Sequence, residues 1–223
     1  MDHQPRPRVR TKKSARDRLI LLAACHPTWA LGCQDEVWWS RLARPSLHAW
    51  TEGDDVRRLV EQAVAKDDPD PKALACYGLL LRADPTDRDA ADQMWLRFVD
   101  GRPVSAVTID YLDWCCRRLH DDGKDALFLI WDNAPWHVSQ QVRTWIRDHN
   151  RQAKQDDDGV RIVACYLPIK SPWLNAIEPT WVHGKRRVLE ADGLLTIQEL
   201  ADRVSDAYHC PHEPHLSIPE KAA

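Results

Sequence analysis

The sequence predicts a mixed α/β fold, a sheet with helices on its faces. Three observations carry this. Extended apolar stretches dominate the first half. The second half then runs helix, strand, helix, strand, helix, helix, with 3.6-residue periodicity alternating with short apolar runs. A chain of 223 residues, 43% hydrophobic and 29% charged, is long enough for a real core and is neither disordered nor fibrous in composition. The longest unbroken apolar run, 73–81, includes Gly78 and is far short of the roughly 20 residues a membrane helix needs, so no membrane partner is expected. A net charge of −3 excludes a uniformly basic nucleic-acid coat and leaves room for a basic patch. Seven cysteines without a C-x-x-C pair, Cys115 and Cys116 being adjacent, read as buried small hydrophobes in a reducing compartment. The 11 tryptophans fit a core, although aromatic rings also make stacking platforms for bases.

The elements follow in order. Residues 1–13 carry Arg6, Arg8, Arg10, Lys12 and Lys13 against Asp2 alone; with Pro5 and Pro7 arguing against a helix, a disordered basic arm is expected. Asp17 to Cys25 suits a short helix stopped by Pro27. Its apolar part imitates a secretory signal only loosely, lying late and lacking a clear cleavage site. Trp29 to Asp35 reads as a strand, with apolar residues continuing to Leu42 and a short extended piece at 47–50. A helix is expected at 56–64, a buried strand at 73–81, acidic loops at 67–71 and 84–92, and a strand at 94–99. Ile109, Leu112, Cys116 and Leu119 mark a helix with Thr108 as N-cap. Ala126 to Trp131 is apolar throughout, as a strand buried on both faces is. Val138 to His149 forms a helix, 150–159 a charged loop, 160–167 a strand, and 177–188 a helix. Thr196 with Glu199 makes a capping box for the last helix. A proline-rich tail from Pro211 is expected to wander over the surface.

The strongest local signal is the apolar strand that ends abruptly in Asp132-Asn133 before Pro135. In open sheets, ligands bind at the carboxyl ends of strands. Asp35 stands in the same relation to its own strand, and Glu178 opens the helix that follows the 160–167 strand. Taken singly, such acids are common turn and cap residues. Converging, they are the oxygen donors that hard divalent cations prefer, and two such ions can drive phosphoryl transfer.

Two longer blocks sharpen this. Asp132-Asn133-Ala134-Pro135-Trp136-His137-x-Ser139 resembles the DNAxxHxS block of bacterial insertion-sequence transposases of the mariner superfamily. Leu167-Pro168-x-x-Ser171-Pro172-x-Leu174-Asn175-Ala176-Ile177-Glu178-x-x-Trp181 resembles their LPxxSPxLNPIExxW block, followed by a matching lysine at Lys185. Asp35-Glu36 resembles their first DE block. The resemblance covers roughly residues 17–208 and is strongest at 126–190. It implies a ribonuclease-H-like fold, a mixed five-stranded sheet flanked by helices, with 1–28 a basic arm and lead-in helix, 29–208 the catalytic domain and 209–223 a tail. It further implies a DDE triad of Asp35, Asp132 and Glu178 that binds two magnesium or manganese ions, cleaves DNA at insertion-sequence ends and transfers the strand. Glu36, Asp110 and Asp113 are the fallback candidates for the first acid.

Asn133, His137 and Lys185 are the expected DNA contacts. His137 could equally order the metal-binding loop or sit buried and hydrogen-bonded. The partners implied are DNA, a second copy of the chain on that DNA, and an upstream helix-turn-helix frame. The setting implied is a bacterial cytoplasm, with nucleoid association when bound. Forty-five residues separate Asp132 from Glu178, more than is usual in the family, and the excess is assigned to the 150–159 loop. Ala176 stands where the family usually has proline. Two other readings remain: an inactive remnant that binds DNA or a transposase partner, and a stand-alone nuclease of the same fold. His209, Cys210, His212 and His215 are enough ligands for zinc in number, but their spacing matches no finger and reads as an ordinary tail.

Overall fold

The computed structural model describes residues 7–42, 64–83, 90–188 and 194–219. The expectations for 47–50, for most of 56–64 and for the acidic loop before residue 90 lie outside these. The elements are α1 (Pro7–Ala24), β1 (Trp29–Ser40), β2 (Ala73–Leu81), β3 (Gln93–Asp100), α2 (Ser105–Asp121), β4 (Ala126–Trp131), α3 (Gln140–Asp156), β5 (Arg161–Tyr166), a 3₁₀ turn (Pro172–Leu174), α4 (Ile177–Val188), α5 (Ile197–Ala207) and β6 (Leu216–Ser217). Among the described residues no helix is long and apolar enough to cross a membrane.

The strands form one mixed sheet in the order β5-β4-β1-β2-β3-β6. β1 pairs with β2, and β2 with β3, antiparallel; β4 runs parallel to β1 and to β5. Side chains alternate across the sheet, and the core divides accordingly. On one face Ala30, Tyr77, Leu79, Leu127, Leu129 and Trp131 pack against α2 and α3. On the other, Cys33, Val37, Trp39, Cys76, Ile130 and Cys165 pack against α4 and α5, with Leu19 of α1 at the border. All six residues of β4 are buried, as expected for a strand covered on both faces. The cysteines are free, and six of the seven are buried.

Several expectations are corrected. α1 begins at Pro7, so the second half of the basic arm is helical. Proline is well suited to the first helical position, where its missing N–H is not needed. β1 runs unbroken to Ser40, so Asp35 lies within a strand rather than at its end. α2 is entered through Val104, while Thr108 is buried inside the helix and shares a hydrogen bond with the Tyr77 hydroxyl at 2.9 Å. The long spacing before Glu178 is absorbed by α3, which continues to Asp156 in place of the expected loop and stops through Asp157 in the left-handed region. Among the described residues the sheet has six strands rather than five, because Leu216 and Ser217 of the tail pair with Val99 and Asp100.

Caps fix the helices next to the site. Ser139 accepts a hydrogen bond from the Val142 N–H at the start of α3, and both halves of the Thr196–Glu199 capping box form. Ser139→Ala is expected to cost about 1 kcal/mol of stability, read from the denaturation midpoint at unchanged slope. At the end of β1 the buried Arg41 donates to the Leu195 carbonyl at 2.6 Å and to both oxygens of Asp68. It thereby ties the strand to the approach of α5.

Candidate active site

β1 and β4 bring the first two acids together. Their parallel ladder ends at Cys33 opposite Ile130. Two residues further along each chain stand Asp35 and Asp132, on the parity that faces α4. Glu178 lies in the first turn of α4, where the helix dipole favours a carboxylate. An open cleft of about 320 Å³ is lined by Asp132, Asn133, Leu167, Lys170, Asn175 and Glu178, among others. Asp35 is half-buried beside it. Burial, together with the charges of Glu36, Glu178 and Asp132, pushes its carboxyl up to about 8.

Local packing aims Asp35. Trp181, one turn after Glu178 on α4, donates its Nε1–H to Asp35 Oδ2 at 3.2 Å. The indole fits there because the residue paired with Asp35 on β2 is Gly78. A Cβ on Gly78 would overlap the Trp181 ring. Tyr208 of the α5 end packs edge-on against Trp181 and donates its hydroxyl to the Thr180 carbonyl at 2.9 Å, holding α4 from behind.

The loop between β5 and α4 forms the far wall. Asn133 donates to the Leu167 carbonyl at 2.6 Å, so it braces this loop. Asn175, 2% exposed, donates to the Gln34 carbonyl at 2.9 Å, and its own Oδ1 is buried without a partner. From α1, Lys12 donates to the Leu167 carbonyl at 3.0 Å and Arg16 to the Leu174 carbonyl at 2.8 Å. The amino-terminal helix thus grips the loop that leads to Glu178.

Glu36 points to the other face of β1, as adjacent strand residues must. Its Oε1 accepts from Gln34 Nε2 at 2.8 Å and its Oε2 from Trp136 Nε1 at 3.0 Å. His137 lies between Glu36 Oε1, 2.8 Å from its Nε2, and Asp132 Oδ1, 2.7 Å from its Nδ1. With a carboxylate oxygen at each ring nitrogen, both nitrogens carry protons. Burial alone would lower the His137 pKa, but the two acids outweigh it and hold the ring's pKa at about 9. The same contact and the Ala134 N–H offset the burial of Asp132 and keep its carboxyl below the usual range.

Of the expected DNA contacts, His137 is corrected: at 0% exposure it cannot reach a duplex. Asn133 and Lys185 are partly exposed, Lys185 two turns along α4 from Glu178. Asp110 and Asp113 lie on α2, across the sheet from the cleft, with Asp113 paired to Arg117. His212 pairs with Asp202 and Asp206, and His215 with Asp100. Sequence reasoning passed over Trp181, Asn175 and Trp136 as site residues. The signal for Trp181 was present in the Glu-x-x-Trp spacing, which puts both side chains on one helix face.

The donor chemistry fits a hard divalent cation: Asp132 and Glu178 line one cleft, and Asp35 is close enough to feel both charges. Among the described residues no three His, Cys, Asp or Glu side chains form a ready-made cage. Magnesium does not require one, since it keeps several waters and is usually held by one or two carboxylates plus substrate phosphates.

Comparison with solved structures agrees with this architecture. The chain matches the Mos1 transposase paired-end complex with left transposon end at TM-score 0.59 and 11% identity, covering 95% of this chain and 57% of that one. It matches the Mos1 mariner paired-end complex with Mn at TM-score 0.60 and 11% identity, covering 94% and 57%. The catalytic domain of Mos1 mariner transposase matches at TM-score 0.54 and 12% identity, covering 95% of this chain and 86% of the domain. The chain therefore spans under three-fifths of the longer transposases it resembles, and its fold is that of ribonuclease-H-like transposase catalytic domains. No curated protein sequence matches it. The family model for DDE superfamily endonucleases matches residues 89–201, just over half of the chain. The chain belongs to the DDE superfamily endonucleases.

Proposed function

We propose that this chain is the catalytic domain of an insertion-sequence transposase, cutting DNA at the element's ends and joining the freed 3′ end to target DNA. The observation that supports the reading is that Asp35 and Asp132 each stand two residues past the last β1–β4 pair, Cys33 opposite Ile130, while Asp132 and Glu178 line one cleft. Asp35, Asp132 and Glu178 would hold two magnesium or manganese ions. Bound there, the ions would activate the attacking water or 3′ hydroxyl and stabilise the leaving oxygen.

The chain's own residues supply position and charge. Trp181 orients Asp35, and Arg16, Lys12 and Asn133 fix the loop that leads to Glu178. On this reading Lys185 on α4 and the basic amino-terminal stretch would meet phosphates, which position DNA without reading its sequence. Recognition of the element's ends is assigned to a helix-turn-helix polypeptide, in cis or in trans, and two copies of the chain would act on the paired ends. The place of action on this reading is the bacterial cytoplasm, on the nucleoid when DNA is bound.

The test is a gel assay with purified chain, end-bearing and unrelated duplexes, and Mg²⁺ or Mn²⁺. Metal-dependent cleavage with joined products is expected. Cleavage without joining would instead mark a stand-alone nuclease, and binding without cleavage an inactive remnant. Affinity for unrelated duplex is expected to fall steeply between 50 and 200 mM salt, by about tenfold or more. Binding indifferent to salt would remove DNA from the account.

A further inference from the structure

We propose that Glu36 and His137 are positioning residues for Asp132: His137, braced from behind by Glu36, fixes which Asp132 oxygen faces the cleft. The inference rests on the reading of Asp132 as a metal ligand. It divides the Asp35-Glu36 pair into two tasks, the first acid entering the cleft and the second anchoring the histidine on the opposite face of β1.

The geometry is that of a relay of fixed parts. Trp136 and Gln34 hold the two oxygens of Glu36. Glu36 Oε1 accepts a hydrogen bond from His137 Nε2–H at 2.8 Å. The ring stacks on the fully buried Trp131 at 4.6 Å between centroids, 19° from parallel, so it cannot rotate. Its Nδ1 then meets Asp132 Oδ1 at 2.7 Å, and the Ala134 N–H reaches the same oxygen at 2.8 Å. Both bonds fall on Oδ1, so Oδ2 is the oxygen left for a cation. Asp132 depends on this support: it sits one residue beyond β4 with its side chain 52% exposed, and among the described residues only the His137 ring and the Ala134 N–H bond to it. Groups that orient metal ligands from behind typically change metal affinity or activity 10- to 100-fold when lost.

Two substitutions separate positioning from packing. In His137→Asn the amide N–H takes roughly the place of Nδ1–H and can still donate to Asp132; in His137→Gln it takes roughly the place of Nε2–H and reaches Glu36 instead. Mn²⁺ affinity is measured on the full chain by paramagnetic resonance titration, with thermal midpoints as the check on folding. The expected result is that His137→Gln weakens Mn²⁺ binding about 10- to 100-fold while His137→Asn stays within a few-fold of the unsubstituted chain. A packing role gives the reverse order, because glutamine fills more of the ring's volume, and would overturn the proposal. If His137→Gln does not fold, Glu36→Gln replaces it, with weaker Mn²⁺ binding expected and unchanged binding overturning the proposal. Asp132→Ala is the separating control. If it abolishes Mn²⁺ binding while the His137 and Glu36 variants bind normally, the positioning role fails alone. If it binds as well as the unsubstituted chain, or if that chain binds no Mn²⁺, the metal-site reading fails and the positioning role with it.

Discussion

Replacing Asp35, Asp132 or Glu178 by alanine is expected to lower the rate of DNA cleavage by at least about a thousandfold, the scale on which transition-state charge stabilisation is lost, with the fold intact. The fold should survive because none of the three acids contributes to the apolar packing on either face of the sheet. Asp35→Asn should go further and raise the thermal midpoint of metal-free protein. Burial and the neighbouring acids push the Asp35 carboxyl from 3.8 up to about 8. A group raised in this way favours folding fully below its unfolded value, and that contribution is lost as pH rises through the folded value. The gain of Asp35→Asn over the unsubstituted chain should therefore be absent near pH 4 and largest above pH 8. Thermal melts in chelator across that range measure it; a flat difference would show that Asp35 is not under this repulsion.

The second large effect is expected at Trp181. Its ring is buried against Gly78, Trp39 and Tyr208. Trp181→Ala should cost about 3–5 kcal/mol from lost burial and the cavity left behind. In a domain of this size that lowers the thermal midpoint by roughly 6–20 °C. Trp181→Phe is the informative partner. It keeps most of the packing but has no N–H for Asp35, so cleavage should fall while the midpoint moves by only a few degrees. Equal loss of cleavage and stability in the two variants would mean that the indole N–H does nothing at Asp35.

The fold was legible where side-chain periodicity was unambiguous. Ala126–Trp131 is apolar at every position and forms a strand with those bounds; Thr196 and Glu199 announced their cap. It was illegible where tertiary contacts overrode local signals. Pro7 starts a helix because α1 finds carbonyls of the site loop to grip through Lys12 and Arg16, a contact no local pattern reveals. The charged stretch after Asn150 continues α3 because Asn150 and His149 bond to the backbone around β5, and the charges simply face water. Leu216 and Ser217 are too short a strand to read, and only the exposed edge of β3 recruits them. Within the site, Asp132 was visible as the abrupt end of an apolar run, whereas β1 carries on past Asp35 and Glu178 opens α4. The inward role of His137 was one of three readings, because burial depends on Glu36 arriving from a strand about a hundred residues away in sequence.

The most direct test of the account is anomalous diffraction from crystals of the chain soaked in Mn²⁺. The expected map has its strongest peak in the cleft, within coordinating distance of Asp132 Oδ2 and bounded by Asp35 and Glu178. A map with no peak in that cleft, or with manganese held elsewhere on the chain, would contradict the assignment of these three acids.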